Sequence, residues 1–165
     1  MRMKTKRLVR LSLLTAISLV IFVVETRIPS LVPIPGVKLG LANIITVVAV
    51  YLCRPWEAAL MLTVRIILGS IFCGTPLSFL YSIAGGALCL FASIASKSVI
   101  PETRMWLTSI IGAIFHNLGQ ILAAALILRT ASVFVYLPVL MITGSIAGLF
   151  CGFCAQLIVK RIHTL

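Results

Sequence analysis

The chain has 165 residues, of which 61% are hydrophobic and only 10% charged, with a formal net charge of +11 and a mean hydropathy of +1.21. A soluble domain of this size cannot cover that much apolar surface, so the composition is that of an integral membrane protein. The positive charge is not a nucleic-acid footprint, because the basic residues cluster at the termini and in short loops, with no basic stripe interleaved with aromatics.

Six apolar segments are predicted as transmembrane helices, over residues 8–24, 38–53, 55–72, 76–95, 106–128 and 135–159. The first follows the basic stretch M-R-M-K-T-K-R-L-V-R and ends in Glu25-Thr26-Arg27 with no small-residue cleavage site. It therefore reads as an uncleaved transmembrane helix and not as a secretory leader. Ser12 and Ala16 give it a small-x-x-x-small face, for packing within the chain or for docking a partner helix.

The loop over 25–37 holds Pro29, Pro33, Pro35 and Gly36, so it is not helical throughout. Its apolar residues Ile28, Leu31, Val32 and Ile34 are odd in a solvated loop. It either dips back as a lid over a cavity or packs on the helix ends.

The second segment is short at its apolar core, as expected of a span that is tilted or buried by neighbours, and it carries Asn43. The third carries Arg65, about nine residues into its helix and so roughly 14 Å deep. The fourth contains Gly85 and Gly86, which permit a kink or close contact. The fifth contains I-F-H-N-L-G-Q over 114–120, which puts His116, Asn117 and Gln120 at i, i+1 and i+4, read as one polar face. The sixth holds a ladder of Gly144, Gly148 and Gly152 suited to close helix packing.

Loop charges orient the bundle. With the N-terminus inside, Arg2, Lys4, Lys6, Arg7, Arg10, Arg54, Lys97, Arg104, Lys160 and Arg161 fall on the inner side, against Arg27, Lys38 and Arg129 outside. That bias places both termini in the cytoplasm and the chain in the cytoplasmic membrane as a multi-pass protein. With no linker or soluble segment, residues 1–165 form a single all-α domain.

Polar groups in hydrocarbon are costly, so Arg65 and the cluster over 116–120 must face the bundle interior, a polar partner or water. Arg65 either bonds Asn43, helix carbonyls or the amide pair and fixes the packing, or offers a forked cation to an anionic or carbonyl-bearing ligand. Asn117 and Gln120 lean toward interhelical bonding. No aspartate occurs, and Glu25, Glu57 and Glu102 sit at helix ends or in loops, so no buried carboxylates are expected. A metal site, a bound cofactor and an aspartate-rich magnesium-diphosphate site are therefore not expected, nor is a P-loop or a catalytic triad, and no enzymatic activity is predicted. Among the cysteines at 53, 73, 89, 151 and 154, the Cys151-Gly-Phe-Cys154 spacing lacks a second pair and reads as small residues packing in a helix.

Three ordered stretches carry a resemblance. P-I-P-G-V-K-L-G-L-A-N-I-I-T over 33–46, R-I-I-L-G-S-I-F-C-G-T-P-L-S-F-L-Y-S-I-A-G-G over 65–86 and G-A-I-F-H-N-L-G-Q over 112–120 resemble the Gx transporter family, also labelled heptaprenyl diphosphate synthase component I. That family is in turn similar to the S-components of energy-coupling factor (ECF) transporters, six-helix membrane proteins that capture a vitamin-like molecule and dock on a coupling subunit driven by two ATPases.

The resemblance implies an S-component-like bundle in which Pro33, Pro35, Gly36 and Lys38 belong to a lid, and Ser12 and Ala16 meet the coupling subunit. The usual A-x-x-x-A of that face is S-x-x-x-A here, which weakens the expectation of that partner. The resulting expectation is a substrate-binding subunit for uptake of a small molecule such as a quinone or isoprenoid precursor, a flavin or another vitamin-like compound. Arg65, His116, Asn117, Gln120 and Asn43 would hold the ligand. The alternatives are a non-catalytic membrane component of heptaprenyl diphosphate or menaquinone biosynthesis, or a scaffold of a membrane redox complex.

Overall fold

The computed structural model describes residues 5–27, 40–73 and 76–164, apart from the side chain of Cys73. Among the described residues six α-helices follow one another: α1 (Thr5–Glu25), α2 (Asn43–Leu52), α3 (Pro55–Cys73), α4 (Pro76–Lys97), α5 (Met105–Leu128) and α6 (Leu137–His163). Short 3₁₀ turns at Glu102–Arg104 and Ala131–Tyr136 lead into α5 and α6. The expected lid residues Pro33, Pro35, Gly36 and Lys38 lie outside the described residues.

Prolines mark the starts of α3 and α4, where the missing N–H has no helical acceptor to lose. The α5 helix closes on Arg129 in a left-handed conformation at φ 50°, a common way to end a helix.

Five of the helices, α1, α3, α4, α5 and α6, are long and apolar enough to cross a membrane. The apolar side chains they turn outward, such as Val20 (61% exposed), Phe91 (71%), Leu126 (79%) and Ile142 (64%), would be untenable in water and fit a lipid surround. The chain is thus a multi-pass membrane protein.

The second segment departs from six equal spans. Within the described residues its helix is only Asn43–Leu52, ten residues, or about 15 Å against a hydrocarbon core of about 30 Å. It is apolar all round and buried nearly all round, with Val47, Val48, Ala49 and Val50 no more than 2% exposed. Enclosed by its neighbours, it is the core of the bundle.

Its C-terminal carbonyls are satisfied by Lys97, whose Nζ donates to Val50 O at 2.7 Å and Tyr51 O at 3.4 Å. Tyr51 fixes the same end through its hydroxyl, 2.8 Å from Thr108 Oγ1 and 3.1 Å from Ile100 O. This end of the molecule, where α1 begins and α6 finishes, carries most of the basic residues.

The α5 helix runs between α4 and α6, and glycines set both approaches. A Cβ on Gly119 would lie 2.6 Å from the carbonyl oxygen of Ala84 on α4. On the α6 side, a Cβ on Gly144 would lie 2.0 Å from Asn117 Nδ2, and one on Gly148 2.9 Å from Ala113 Cβ. At Gly152 the obstruction is backbone, Trp106 Cα at 2.4 Å. The glycine ladder of the sixth segment therefore faces α5 within the chain. Below it, Trp106 and Phe153 stack with ring centroids 6.2 Å apart. The C-x-x-C residues sit along α6 with Cys151 buried, and both thiols are free.

These contacts predict a graded response to added methyl groups. Gly152→Ala must push α5 and α6 apart and should destabilise the protein by about 1–3 kcal/mol, read as a lower thermal midpoint in detergent. Gly86→Ala meets only flexible side-chain ends, Ile66 Cδ1 at 3.2 Å and the Leu62 methyls at 3.4 and 3.5 Å, and should cost clearly less.

Candidate functional site

On α1, Leu11, Leu14, Ser18, Phe22 and Glu25 are buried at spacings of three and four, the stripe an α-helix turns toward a core. The stripe ends in a carboxylate. Glu25 is only 4% exposed, although it closes a membrane-spanning helix. Its Oε1 accepts the N–H of Gly40 and its Oε2 accepts the N–H of Ala42 at 3.4 Å. Those amides belong to the turn that opens α2, where a helix has donors without internal acceptors and a partial positive charge. Gly40 has φ +82°, which favours glycine, and a Cβ there would lie 2.7 Å from Asn43 Nδ2 and 3.3 Å from His116 Nε2.

Arg65 enters from the middle of α3. It is 4% exposed, and its Nη1 donates to Ser18 Oγ at 3.3 Å. Ser18, fully buried, donates in turn to Ala42 O at 3.4 Å. The guanidinium Nε has no hydrogen-bond partner among the described residues. Ion pairing does not supply one, since the single contact within 4 Å among the described residues is the exposed Glu102–His163 pair at 3.5 Å.

His116 and Gln120 come from α5, one turn apart. Both are buried, and His116 Nδ1 and Gln120 Oε1 also lack partners among the described residues. Gly85 of α4 makes room for them, because a Cβ there would lie 2.8 Å from His116 O, 2.9 Å from its Nδ1 and 3.0 Å from Gln120 Cγ.

These side chains share one cavity. Arg65, His116, Gln120 and Asn43 line it together with Glu25, Ser82, Phe22, Gly40 and Ala42. Its volume is about 20 Å³, room for roughly one water molecule. From the helix starts, it lies about 15–20 Å above the basic end. Four of the five expected ligand residues therefore meet. The fifth, Asn117, does not: its Nδ2 donates to Leu140 O on α6 at 2.6 Å. Neighbouring residues on a helix point about 100° apart, so Asn117 cannot share a face with His116, whereas Gln120 can.

Sequence reasoning missed Glu25 and Ser18. Both fall on the α1 stripe, but the apolar run ends just before Glu25 and so places it at the start of a loop. The expectation of no buried carboxylate is overturned at two places, since Glu57 in the first turn of α3 is also 4% exposed. Ser12 and Ala16 are exposed and line an outward groove between α1 and α3.

Removing each polar tie should have a distinct signature. Glu25→Ala leaves two amides at the head of α2 without acceptors and should cost about 1–3 kcal/mol. Hydrogen exchange should rise in peptides covering Gly40–Ala42. Asn117→Ala loses one interhelical bond and should cost about 0.6–1 kcal/mol, with exchange in that region unchanged.

No curated protein and no solved structure matches the chain. A family model described as heptaprenyl diphosphate synthase component I matches residues 14–158. The match covers the site-bearing parts of all six helices, and the chain belongs to the heptaprenyl diphosphate synthase component I family.

Proposed function

We propose that this protein is a non-enzymatic membrane subunit that binds a small molecule at the Arg65 cavity, in the manner of a transporter S-component. Separate coupling and ATPase subunits would supply the energy. On this reading the short α2 and its neighbours form a six-helix bundle with both termini in the cytoplasm. The ligand would be small and partly apolar, with an anionic or carbonyl group for Arg65 and polar edges for His116, Gln120 and Asn43.

The observation that carries this is the unspent hydrogen-bonding capacity of a buried charge. A guanidinium in a bilayer interior is tolerated when its donors are matched. Here one donor meets a serine and Nε meets no partner among the described residues, and His116 and Gln120 leave further atoms unmatched there around the same cavity. Packing alone would favour closing those valences within the chain. The cavity holds only a water-sized occupant, so a larger ligand must part the elements around it. The Glu25 contacts to Gly40 and Ala42 are the ties that such opening would strain.

The family description favours a second reading, a non-catalytic component of heptaprenyl diphosphate synthesis. Native mass spectrometry of protein purified in mild detergent separates the two. The transport reading expects a stoichiometric small-molecule adduct that falls at least about tenfold in Arg65→Ala, a change of about 1.4 kcal/mol, with helicity by circular dichroism retained. A prenyl synthase retained with no small molecule would favour the second reading. If neither is retained, and Gln120→Ala lowers only the thermal midpoint, the polar residues are interhelical glue.

A further inference from the structure

At the basic end, α1 and the α2–α3 corner enclose a second, separate pocket of about 280 Å³. Arg7 and Arg10 of α1 and Arg54 of the corner line it, with Glu57 as the one acidic group. One oxygen of Glu57 already holds the corner, while its Oε1 has no hydrogen-bond partner among the described residues. Its Oε2 accepts the N–H of Arg54 at 2.9 Å, while Arg54 O accepts the N–H of Glu57 at 2.9 Å and of Ala58 at 3.0 Å. It also sits in the first turn of α3, where a carboxylate offsets the helix dipole. None of the three arginines has an ion-pair partner within 4 Å among the described residues. Three guanidinium groups against one carboxylate leave the pocket with an excess of two positive charges.

Above it runs the groove of about 380 Å³ between α1 and α3. Leu11 lines both spaces, so the groove and the pocket adjoin at that residue. From Leu8 to Leu19 it extends about 16 Å along the helix. Ser12 and Ala16 keep its α1 side shallow, Val64 and Leu68 line the facing side, and Leu8 (54% exposed) and Leu60 (46%) leave it open sideways.

We infer that this seam holds an anionic phospholipid of the surrounding bilayer, with its phosphate on Arg7, Arg10 and Arg54 and one acyl chain in the groove. Hydrocarbon already surrounds the groove, so an acyl chain fills it with no other protein needed. The chain's head then lies at the interface, where the arginines are. Guanidinium forks match phosphate oxygens two at a time, and a basic pocket at headgroup depth is a recognised form of lipid selection. A zwitterionic head would bring its own cation into an arginine cluster, so the pocket selects against it.

The test is native mass spectrometry of the full chain released from nanodiscs of equal phosphatidylglycerol and phosphatidylcholine. Retained phosphatidylglycerol should exceed phosphatidylcholine by about tenfold or more. The combined variant R7K/R10K/R54K keeps the charges that orient the chain but loses the forks, and should cut that preference several-fold. Ala16→Phe, with the arginines intact, fills the groove and should lower retention of both lipids. Equal retention of the two lipids overturns the proposal, as does a preference that neither variant moves. Displacement of the lipid by millimolar inorganic pyrophosphate would make the pocket a site for a soluble anion. Disulfide trapping of another protein's helix by Ser12→Cys or Ala16→Cys in native membranes would give the groove to a protein partner. Either result overturns the lipid assignment.

Discussion

The arrangement of this bundle depends on how the start of α2 is satisfied. A helix of ten residues cannot bring both ends to water across a bilayer, and here the C-terminal end is the one tied to the basic surface. The turn that leads into it is therefore left inside, where an unmatched N–H is costly: Asn43 and Ile44 donate to Gly40 O and Leu41 O, but the amides of Gly40 and Ala42 need another acceptor. Glu25 answers that need with both carboxylate oxygens. A carboxylate placed there is itself a buried charge, and Arg65 supplies an opposite one on the same cavity. The site is thus a chain of compensations that begins with the length of one helix.

The glycines serve the same end. Gly40 lets the turn before α2 press against His116, and Gly85 lets α4 close over His116 and Gln120. Gly119 brings α5 against the backbone of α4, and the α6 ladder brings it against α5. In a bilayer these contacts gain little from excluding lipid, so close approach and dispersion must supply the attraction. The polar cavity is consequently surrounded by some of the tightest packing in the molecule. That packing holds unmatched polar atoms at fixed positions, as a binding site requires.

Much of this was legible in the sequence. The five long helices follow from apolar runs bounded by proline, arginine and lysine, and the convergence of Arg65 with His116 and Gln120 follows from the cost of polar groups at similar depth. The true extent of α2 was not legible, because a segment apolar on every side gives no periodicity from which to read a face or an end. Glu25 was hidden differently. At the end of an apolar run it passes for a solvated boundary residue, and only its register with Leu11, Leu14, Ser18 and Phe22 reveals an inward side chain. Asn117 shows the opposite case, since adjacency to His116 in sequence does not give a shared helix face.

The buried carboxylates reopen the question of catalysis that the lack of aspartate had closed at the level of sequence. A magnesium-bound diphosphate is held by several oxygen ligands with carboxylates prominent among them. Glu25 and Glu57 do not combine into such a set. Glu25 lines the central cavity, whereas Glu57 lines the separate pocket at the basic end, in the first turn of α3. Each is also engaged with backbone amides, Glu25 through both oxygens and Glu57 through one. What lacks a partner among the described residues of the central cavity is a cation's donor, an imidazole nitrogen and an amide oxygen. That inventory suits recognition of a polar group.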